Sequence, residues 1–337
     1  MGSSTRQFLT TSIAIGISVL FCVLAFRGVS WADTWAALRG ANWLWFAAGA
    51  LIGLSGFAAR AAGWRILLLP HARIPATRLF SPVAIGYMAN NLLPARLGEF
   101  ARAYVVGKRD PVSKTAAFGS IVVERLLDAF ALLSVMLAIT LVLPYPEWVK
   151  DAALLLLIAM FGLALVLIVL RRSEDLRTRL VHRWLTPYAP RLANHLLWYM
   201  NTFLGGAGRP HELMLLLGLI FWIYLRWTLE AGMYLLTFYA LGLDAVLPPH
   251  AAVFVMVVVN IACMVPQAPG YIGAVQFATV ESLALFNIDS GTAIAYSLLV
   301  HVAFFVPITV VGLIYLVVGG FSLTRLRDPD PAEQAST

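Results

Sequence analysis

Charge is scarce in this chain. Asp, Glu, Lys and Arg together make up 12% of its 337 residues, about half the share in an average soluble domain, and that scarcity excludes an ordinary water-soluble globule. Cysteine is rarer still. Cys22 and Cys263 are the only two, each inside an apolar stretch, so neither a disulfide framework nor a metal-ligand spacing is available. The sequence has no nucleotide-binding loop, no HExxH and no GxSxG, which removes the usual signatures of NTPases, metalloproteases and serine hydrolases. Basic residues exceed acidic ones by 24 to 17, a formal charge of +7. They flank apolar segments instead of interleaving with aromatics, which points to membrane topology and lipid headgroups and away from nucleic acid. What remains is apolar: 61% of the residues, with a mean hydropathy of +0.83. Such a chain belongs in a bilayer.

A hydrocarbon core of about 30 Å takes about 20 apolar residues as helix. Six stretches meet that length: Phe8 to Phe26, Asn42 to Arg60, Thr115 to Leu143, Ala152 to Leu170, Leu213 to Leu243 and Gly291 to Val318. The first has a weak basic flank and no clear cleavage site after it, so a retained helix is expected and not a signal peptide. Trp43 and Trp45 fall where an interfacial aromatic belt belongs. Two further apolar stretches are too broken for plain spans. Leu79 to Leu93 carries Pro82, Gly86, Asn90 and Asn91 and runs into Pro94; Ala251 to Phe286 is interrupted by Pro266, Pro269, Gly270 and Gly273.

Positive charge sets the threading. Arg60, Arg65, Arg73 and Arg78 precede the first broken stretch, and Arg96, Arg102, Lys108, Arg109 and Lys114 follow it. Cationic loops stay cytoplasmic, so Leu79 to Arg102 is expected to enter from the cytoplasm and turn back. The connection from Arg171 to Arg209 and the tail with Arg325 and Arg327 are cytoplasmic by the same rule. The connection with Arg27, Asp33 and Arg39 is assigned outside. The expected architecture is therefore all-α and polytopic, with about six transmembrane helices and two re-entrant helical hairpins in an inverted repeat. Residues 1–146 form the first repeat with hairpin 79–102, residues 147–320 the second with hairpin 251–286 from the outside, and residues 321–337 a disordered cytoplasmic tail. Both termini are cytoplasmic.

Spacing supports the repeat. Pro94 precedes Gly98 by four residues and Pro269 precedes Gly273 by four; Ser120 with Glu124 and Ser297 with His301 follow, again four apart and on one helical face. Broken elements in matching places of two inverted halves point to a transport site, because helix ends freed at membrane depth must line a cavity or be buried in protein. Close helix packing and kinking is the plainer use of the same glycines and prolines.

Ionisable residues inside spans cost about 2.5 to 3.5 kcal/mol each on insertion scales, so they need partners or water. Glu124 and Asp128 share a face, and Arg125 is within reach of Asp128. They form either a headgroup-binding or proton-linked cluster or an interfacial pair at the cytoplasmic boundary. Arg226 and Glu230 lie near the middle of their span, as a structural ion pair or as one wall of a substrate cavity. Arg96, Glu99 and Arg102 surround Gly98, where guanidinium forks suit phosphate oxygens but would also serve as juxtamembrane anchors. Asn90 and Asn91 are placed to hydrogen-bond freed backbone at the hairpin tip.

The run Asn90-Asn91-Leu92-Leu93-Pro94-Ala95-Arg96-Leu97-Gly98-Glu99, then Arg102 and Tyr104, then Glu124-Arg125 with Asp128, together with Pro266 to Gly273, resembles the flippase-like family that includes the transmembrane region of lysylphosphatidylglycerol synthetases. The resemblance spans roughly residues 10 to 320. It implies a bacterial inner-membrane protein with two re-entrant elements that moves lipids or lipid-linked groups between leaflets. Where that family usually has a Glu after the second Pro-Gly-x-x-Gly, this chain has Gln276, and His301 lies where an Arg is often nearby. A substrate or proton role for His301 stands beside a simple packing role. No aminoacyl-transfer domain follows within these residues, so synthetase activity is not expected.

The function expected is thus a lipid flippase, with Arg96, Arg102, Arg125 and Arg226 neutralising a phosphate and Glu99, Glu124 and Glu230 holding those arginines when the site is empty. A non-transporting lipid-binding or scaffold protein of an envelope lipid pathway is the alternative, and an intramembrane enzyme acting on headgroups is a third class. No cofactor and no metal is expected. The partners expected are a lipid with an anionic headgroup and enzymes of envelope lipid synthesis.

Overall fold

Away from water a chain must satisfy its own backbone, and a helix does so within one segment. All regular elements among the described residues of the computed structural model are helical. Those residues are 16–93, 97–142, 174–187, 210–264 and 268–321, with isolated positions between 151 and 197. Most of the expected span from Ala152 to Leu170, the hairpin residues Pro94, Arg96 and Pro266, and the tail after Phe321 lie outside them.

In chain order the helices are α1 (Gly16–Phe26), α2 (Trp31–Arg39), α3 (Trp43–Leu68), α4 (Ala76–Leu92), α5 (Gly98–Arg109), α6 (Lys114–Val142), α7 (Glu174–Trp184), α8 (Pro210–Leu241), α9 (Pro249–Ala262), α10 (Ala274–Ala284) and α11 (Ser290–Val318). Among the described residues three are long and apolar enough to cross a membrane: α3, α8 over Leu213–Leu241, and α11. A fourth span results if α1 and α2, bent by 84°, count together. α6 has 29 residues, about 43 Å of helix, but carries Glu124, Arg125 and Asp128.

Two elements differ from the sequence expectation. The connection containing Asp33 and Arg39 is a helix, because Ser30 caps it by accepting the Asp33 amide at 3.3 Å and the Arg39 guanidinium lies 5.2 Å from the Trp35 ring centroid. Helix α3 runs on past Arg60 to Leu68. Its apolar pattern never stops there, and Trp64, Leu67 and Leu68 are fully buried.

The described residues form two compact units. One is drawn from within Met1–Phe57, Val83–Gly98 and Trp227–Arg327, the other from within Ala58–Pro82 and Glu99–Arg226. In the first, α9 packs on α10, α10 on α11, and α11 on α2. The Thr34 hydroxyl donates to the Gly291 carbonyl at 3.0 Å, and buried Tyr296 donates to the Tyr234 carbonyl at 2.8 Å. The Phe254 and Phe286 rings, 6.2 Å apart, show that the chain after α10 returns to the level of α9.

Helices α4 and α5 form an antiparallel hairpin, and Pro82 helps to tie its base. Proline has no N–H for the carbonyl four residues back, which is that of Arg78. The Arg109 guanidinium at the end of α5 donates to this released oxygen and to the Ser81 hydroxyl at 2.7 Å. At the other end, the Gly98 amide donates to Asn90 Oδ1 at 2.7 Å. Gly98 has to be glycine: a Cβ there would overlap the Gly86 carbonyl oxygen and lie 2.5 Å from Asn90 Oδ1.

Candidate functional site

The second unit gathers six ionic side chains from four helices: Arg60 of α3, Arg102 of α5, Glu124, Arg125 and Asp128 of α6, and Arg226 of α8. Five are buried, and Arg125 is partly exposed with 39% of its side chain accessible. Helix α6 presents Ser120, Glu124 and Asp128 at successive four-residue steps, on one face. Arg102 meets Glu124 as a two-pronged fork, Nη1 to Oε1 at 2.9 Å and Nη2 to Oε2 at 2.7 Å. Arg60 bridges the carboxylates, pairing with Glu124 through Nη1 and with Asp128 through Nη2 at 2.8 Å. Arg125 reaches Glu124 at 2.9 Å and Asp128 at 3.4 Å. Arg226 lies 4.0 Å from Asp128, the loosest of these pairings.

Aromatic side chains fix the fork. The Arg102 guanidinium sits 3.7 Å from the Trp64 ring centroid, a cation–π contact that favours arginine over lysine. The Trp64 indole N–H in turn donates to Ser120 Oγ at 2.8 Å. Trp64 is one turn beyond Arg60 on α3, so a single face of α3 supplies both a cation and its neighbour's support. Beside the cluster is a narrow recess, with room for about one water molecule, lined by Arg60, Glu124, Asp128 and Arg226 and by Leu219, Trp222 and Ile223.

Arg60 is the residue that sequence reasoning placed elsewhere, among the cations flanking the first broken stretch. The signal against that placement is the run Ala61-Ala62-Gly63-Trp64 after it, which keeps Arg60 inside the helix. Glu99, from the same expected group as Arg102, is half-buried at the start of α5 and is not one of these pairs.

A different polar group belongs to the first unit. The chain between α9 and α10 breaks at a short 3-10 turn, Pro269–Tyr271, with Gly270 at φ 80° and Gly273 at φ 93°. Both values lie in the left-handed region that favours glycine, and a Cβ on Gly273 would also come within 2.6 Å of the Ser18 carbonyl. Ser18 in α1 accepts the Ala268 amide at 2.8 Å, a side-chain acceptor for backbone that the break frees. Gln276 at the third position of α10 accepts the Gly273 amide at 2.8 Å through Oε1. Its amide nitrogen, a donor only, therefore donates to His301 Nδ1 at 3.1 Å. This leaves the imidazole proton on Nε2. The His301 ring also hydrogen-bonds with the Gly270 backbone.

The end of α4 lies beside this turn. A Cβ on Gly270 would lie 3.8 Å from the Asn91 carbonyl oxygen and 3.4 Å from the Phe305 ring. Asn91 donates to Thr309 Oγ1 at 2.8 Å. Glu230, buried on α8, accepts from Asn260 at 2.7 Å. The candidate residues thus fall into two groups: Arg102, Glu124, Arg125, Asp128 and Arg226 in one unit, and Glu230, Gln276, His301, Asn90, Asn91, Gly98, Pro269, Gly270 and Gly273 in the other. Gln276→Leu removes both the cap and the His301 contact, so it is expected to cost about 1 to 3 kcal/mol, read as a lower thermal midpoint in detergent. An unchanged midpoint would show that the Gly273 amide does not depend on Gln276. No group of His, Cys, Asp and Glu that could hold a metal ion occurs among the described residues.

Long apolar helices that enclose arginine–carboxylate pairs and a glycine-broken polar turn define a multi-pass membrane protein. The chain belongs to the family described as the lysylphosphatidylglycerol synthase transmembrane region, whose model matches residues 11–312. A UPF0104 membrane protein of Methanothermobacter thermautotrophicus is 29% identical over 212 residues, covering 58% of this chain and 62% of that relative. The match therefore spans less than two thirds of the relative's length. No solved structure matches the chain.

Proposed function

We propose that this protein moves the polar headgroup of a phosphate-bearing lipid between the leaflets of a bacterial cytoplasmic membrane, without chemical change to the lipid. The observation that carries this reading is the buried arginine cluster. An ion buried in a mostly apolar protein is expensive and needs a partner or water. Here four guanidiniums surround Glu124 and Asp128. Arginine forks bind phosphate oxygens in the same geometry in which they bind these carboxylates, so the carboxylates hold the arginines in place until a headgroup arrives.

The two hairpins supply the second requirement, polar backbone at membrane depth. In this reading α4–α5 enters from the cytoplasmic side and α9–α10 from the outside, as inverted copies. Helices α6 and residues 152–170 complete six spans, and both termini face the cytoplasm. Acyl chains remain in lipid while the headgroup crosses. In the absence of a nucleotide-binding loop, lipid gradients, proton linkage or membrane potential provide the driving force. We assign the chain no enzymatic activity; enzymes of envelope lipid synthesis are its natural suppliers.

Arg226 is the decisive residue to change, because its pairing with Asp128 is the longest of the set and its loss leaves the Glu124 pairings intact. Arg226→Ala is expected to insert and fold normally while slowing lipid exchange in reconstituted vesicles by about tenfold or more, the equivalent of one charge-assisted contact. Exchange at the unaltered rate would remove Arg226, and with it the cluster's proposed role.

A further inference from the structure

Helix α2 carries an exposed aromatic flank for which neither the ionic cluster nor the broken turns have a use. Trp31 and Trp35, four residues apart and so on one face, are 60% and 57% exposed. The Trp31 ring stacks on Phe26 at the end of α1, with centroids 5.5 Å apart, and the Arg39 guanidinium lies over the Trp35 ring. Asp33 is exposed as well, on nearly the opposite side, because each residue turns a helix by about 100°. The remaining side is docked on the protein. Thr34 donates to the Gly291 carbonyl at 3.0 Å, and a Cβ on Gly291 would come within 2.8 Å of the Ser30 carbonyl oxygen. One flank of α2 is thus aromatic, the opposite one acidic, and a third is fixed to α11.

The place of α2 in the chain says what covers the aromatic flank. It follows α1 at a bend of 84°, and Gly40, Ala41 and Asn42 alone separate it from α3. Its docked side meets the first turn of α11, whose start is capped by Asp289 accepting the Thr292 amide at 2.8 Å. Helix α2 therefore lies where two membrane-long helices begin, α3 and α11, and exposed Trp43 and Trp45 at the start of α3 are residues typical of the level where hydrocarbon gives way to headgroups. Its nine residues make about 14 Å of helix, too short to cross a core of about 30 Å. Short helices with aromatic side chains on one flank and charge on the other lie in the plane of the interface, where the tryptophan ring is buried and its N–H stays wet. We propose that α2 is an interfacial helix lying along the membrane surface, with Trp31 and Trp35 seated among lipid headgroups and Arg39 reaching their phosphates. Its partner is the lipid surface itself, and the assignment stands apart from whether the protein transports lipid.

The test is a depth scan of the full chain in vesicles of phosphatidylglycerol and phosphatidylethanolamine. Cys22→Ala and Cys263→Ala remove the native thiols, and cysteine then replaces, one at a time, Trp31, Ala32, Asp33, Trp35, Ala36 and Arg39. Each carries a nitroxide whose collisions are measured with oxygen, which gathers in lipid, and with a water-soluble nickel chelate. Labels in place of Trp31 and Trp35 are expected to favour oxygen severalfold and to lie at equal depth, while the label in place of Asp33 favours the chelate. A depth that changes steadily along α2 would overturn the proposal and make the helix part of a broken span. Labels at the two tryptophan positions shielded from both reagents would overturn it in favour of a protein partner or a second copy. Labels there open to the chelate would also overturn it, by leaving the aromatic flank in water. Because a label replaces the ring it reports on, the intact ring is measured as well: the fluorescence lost on Trp35→Phe is expected to be the part quenched more strongly by lipids brominated near the headgroup than by lipids brominated near the chain end. The reverse order would overturn the interfacial placement even if the labelled variants agree with it.

Discussion

Glu124→Ala is expected to be the most damaging single substitution among the ionic residues, lowering stability by about 3 to 5 kcal/mol, the cost of stripping the partner from buried charges. Glu124 accepts from Arg60, Arg102 and Arg125, so one truncation takes a carboxylate partner from three guanidiniums at once. Glu124→Gln keeps an oxygen for one of them but loses the charge, and it should fall between alanine and wild type. The measurement is the thermal or denaturant midpoint of purified protein in a mild detergent. A Glu124→Ala protein that unfolds at the wild-type midpoint would mean that the arginines are not buried against this carboxylate. The same substitution also bears on function, because any variant that folds without Glu124 has lost the group that holds Arg102 in place.

Gly98→Ala is expected to part the first hairpin at its tip. The added methyl would overlap the Gly86 carbonyl oxygen and crowd Asn90 Cγ at 2.6 Å. The first obstacle is backbone of helix α4, which cannot turn aside as the Asn90 side chain could. Overpacking of this kind costs about 1 to 3 kcal/mol where side chains yield, and backbone contact puts the expected cost at or above the top of that range. The Asn90 bond to the Gly98 amide is lost as well. Folded yield and protease resistance of the hairpin report the effect. Gly16→Ala serves as the control, because a Cβ on that α1 residue meets nothing within 4 Å; it should be neutral. Equal yields for the two variants would contradict the close approach of α4 and α5.

The helical breaks were the most legible part of the fold, and the reason is chemical. Proline and glycine act through the local backbone, so Pro94 to Gly98 and Pro266 to Gly273 announce themselves without any knowledge of neighbours. Helix does stop and start again at both, between α4 and α5 and between α9 and α10. Helix α2 was harder to see, because its nine residues are too few for a hydrophobic period to stand out. Its start was nevertheless written in Ser30 and Asp33, three apart, as a cap and a first-turn acid.

Partnership was less legible than position. Glu124 and Asp128 were visible as a pair on one face of α6, but their main cation lies 64 residues earlier in the chain. A charge rule that assigns arginines to loops necessarily puts Arg60 outside the membrane. What distinguishes it is the uninterrupted apolar run on both sides, a weaker signal than the charge itself. Gln276 and His301 show the same limit. Each drew notice on its own, whereas the hydrogen bond between them, across 25 residues, depends on how α10 packs against α11. The roles of the two as cap and support for a broken turn follow from that packing and not from their residue types.

The account rests on the claim that this chain gives a lipid headgroup a polar way across the bilayer. Purified full-length protein reconstituted into vesicles containing a fluorescent phosphate-bearing lipid in both leaflets tests it most directly, with an impermeant reductant added outside. The account predicts that the reductant quenches the inner-leaflet lipid as well, at a rate that rises with the amount of protein and falls with Arg226→Ala. Loss of the outer-leaflet signal alone, as in vesicles without protein, across phosphomonoester and phosphodiester lipids, would contradict it.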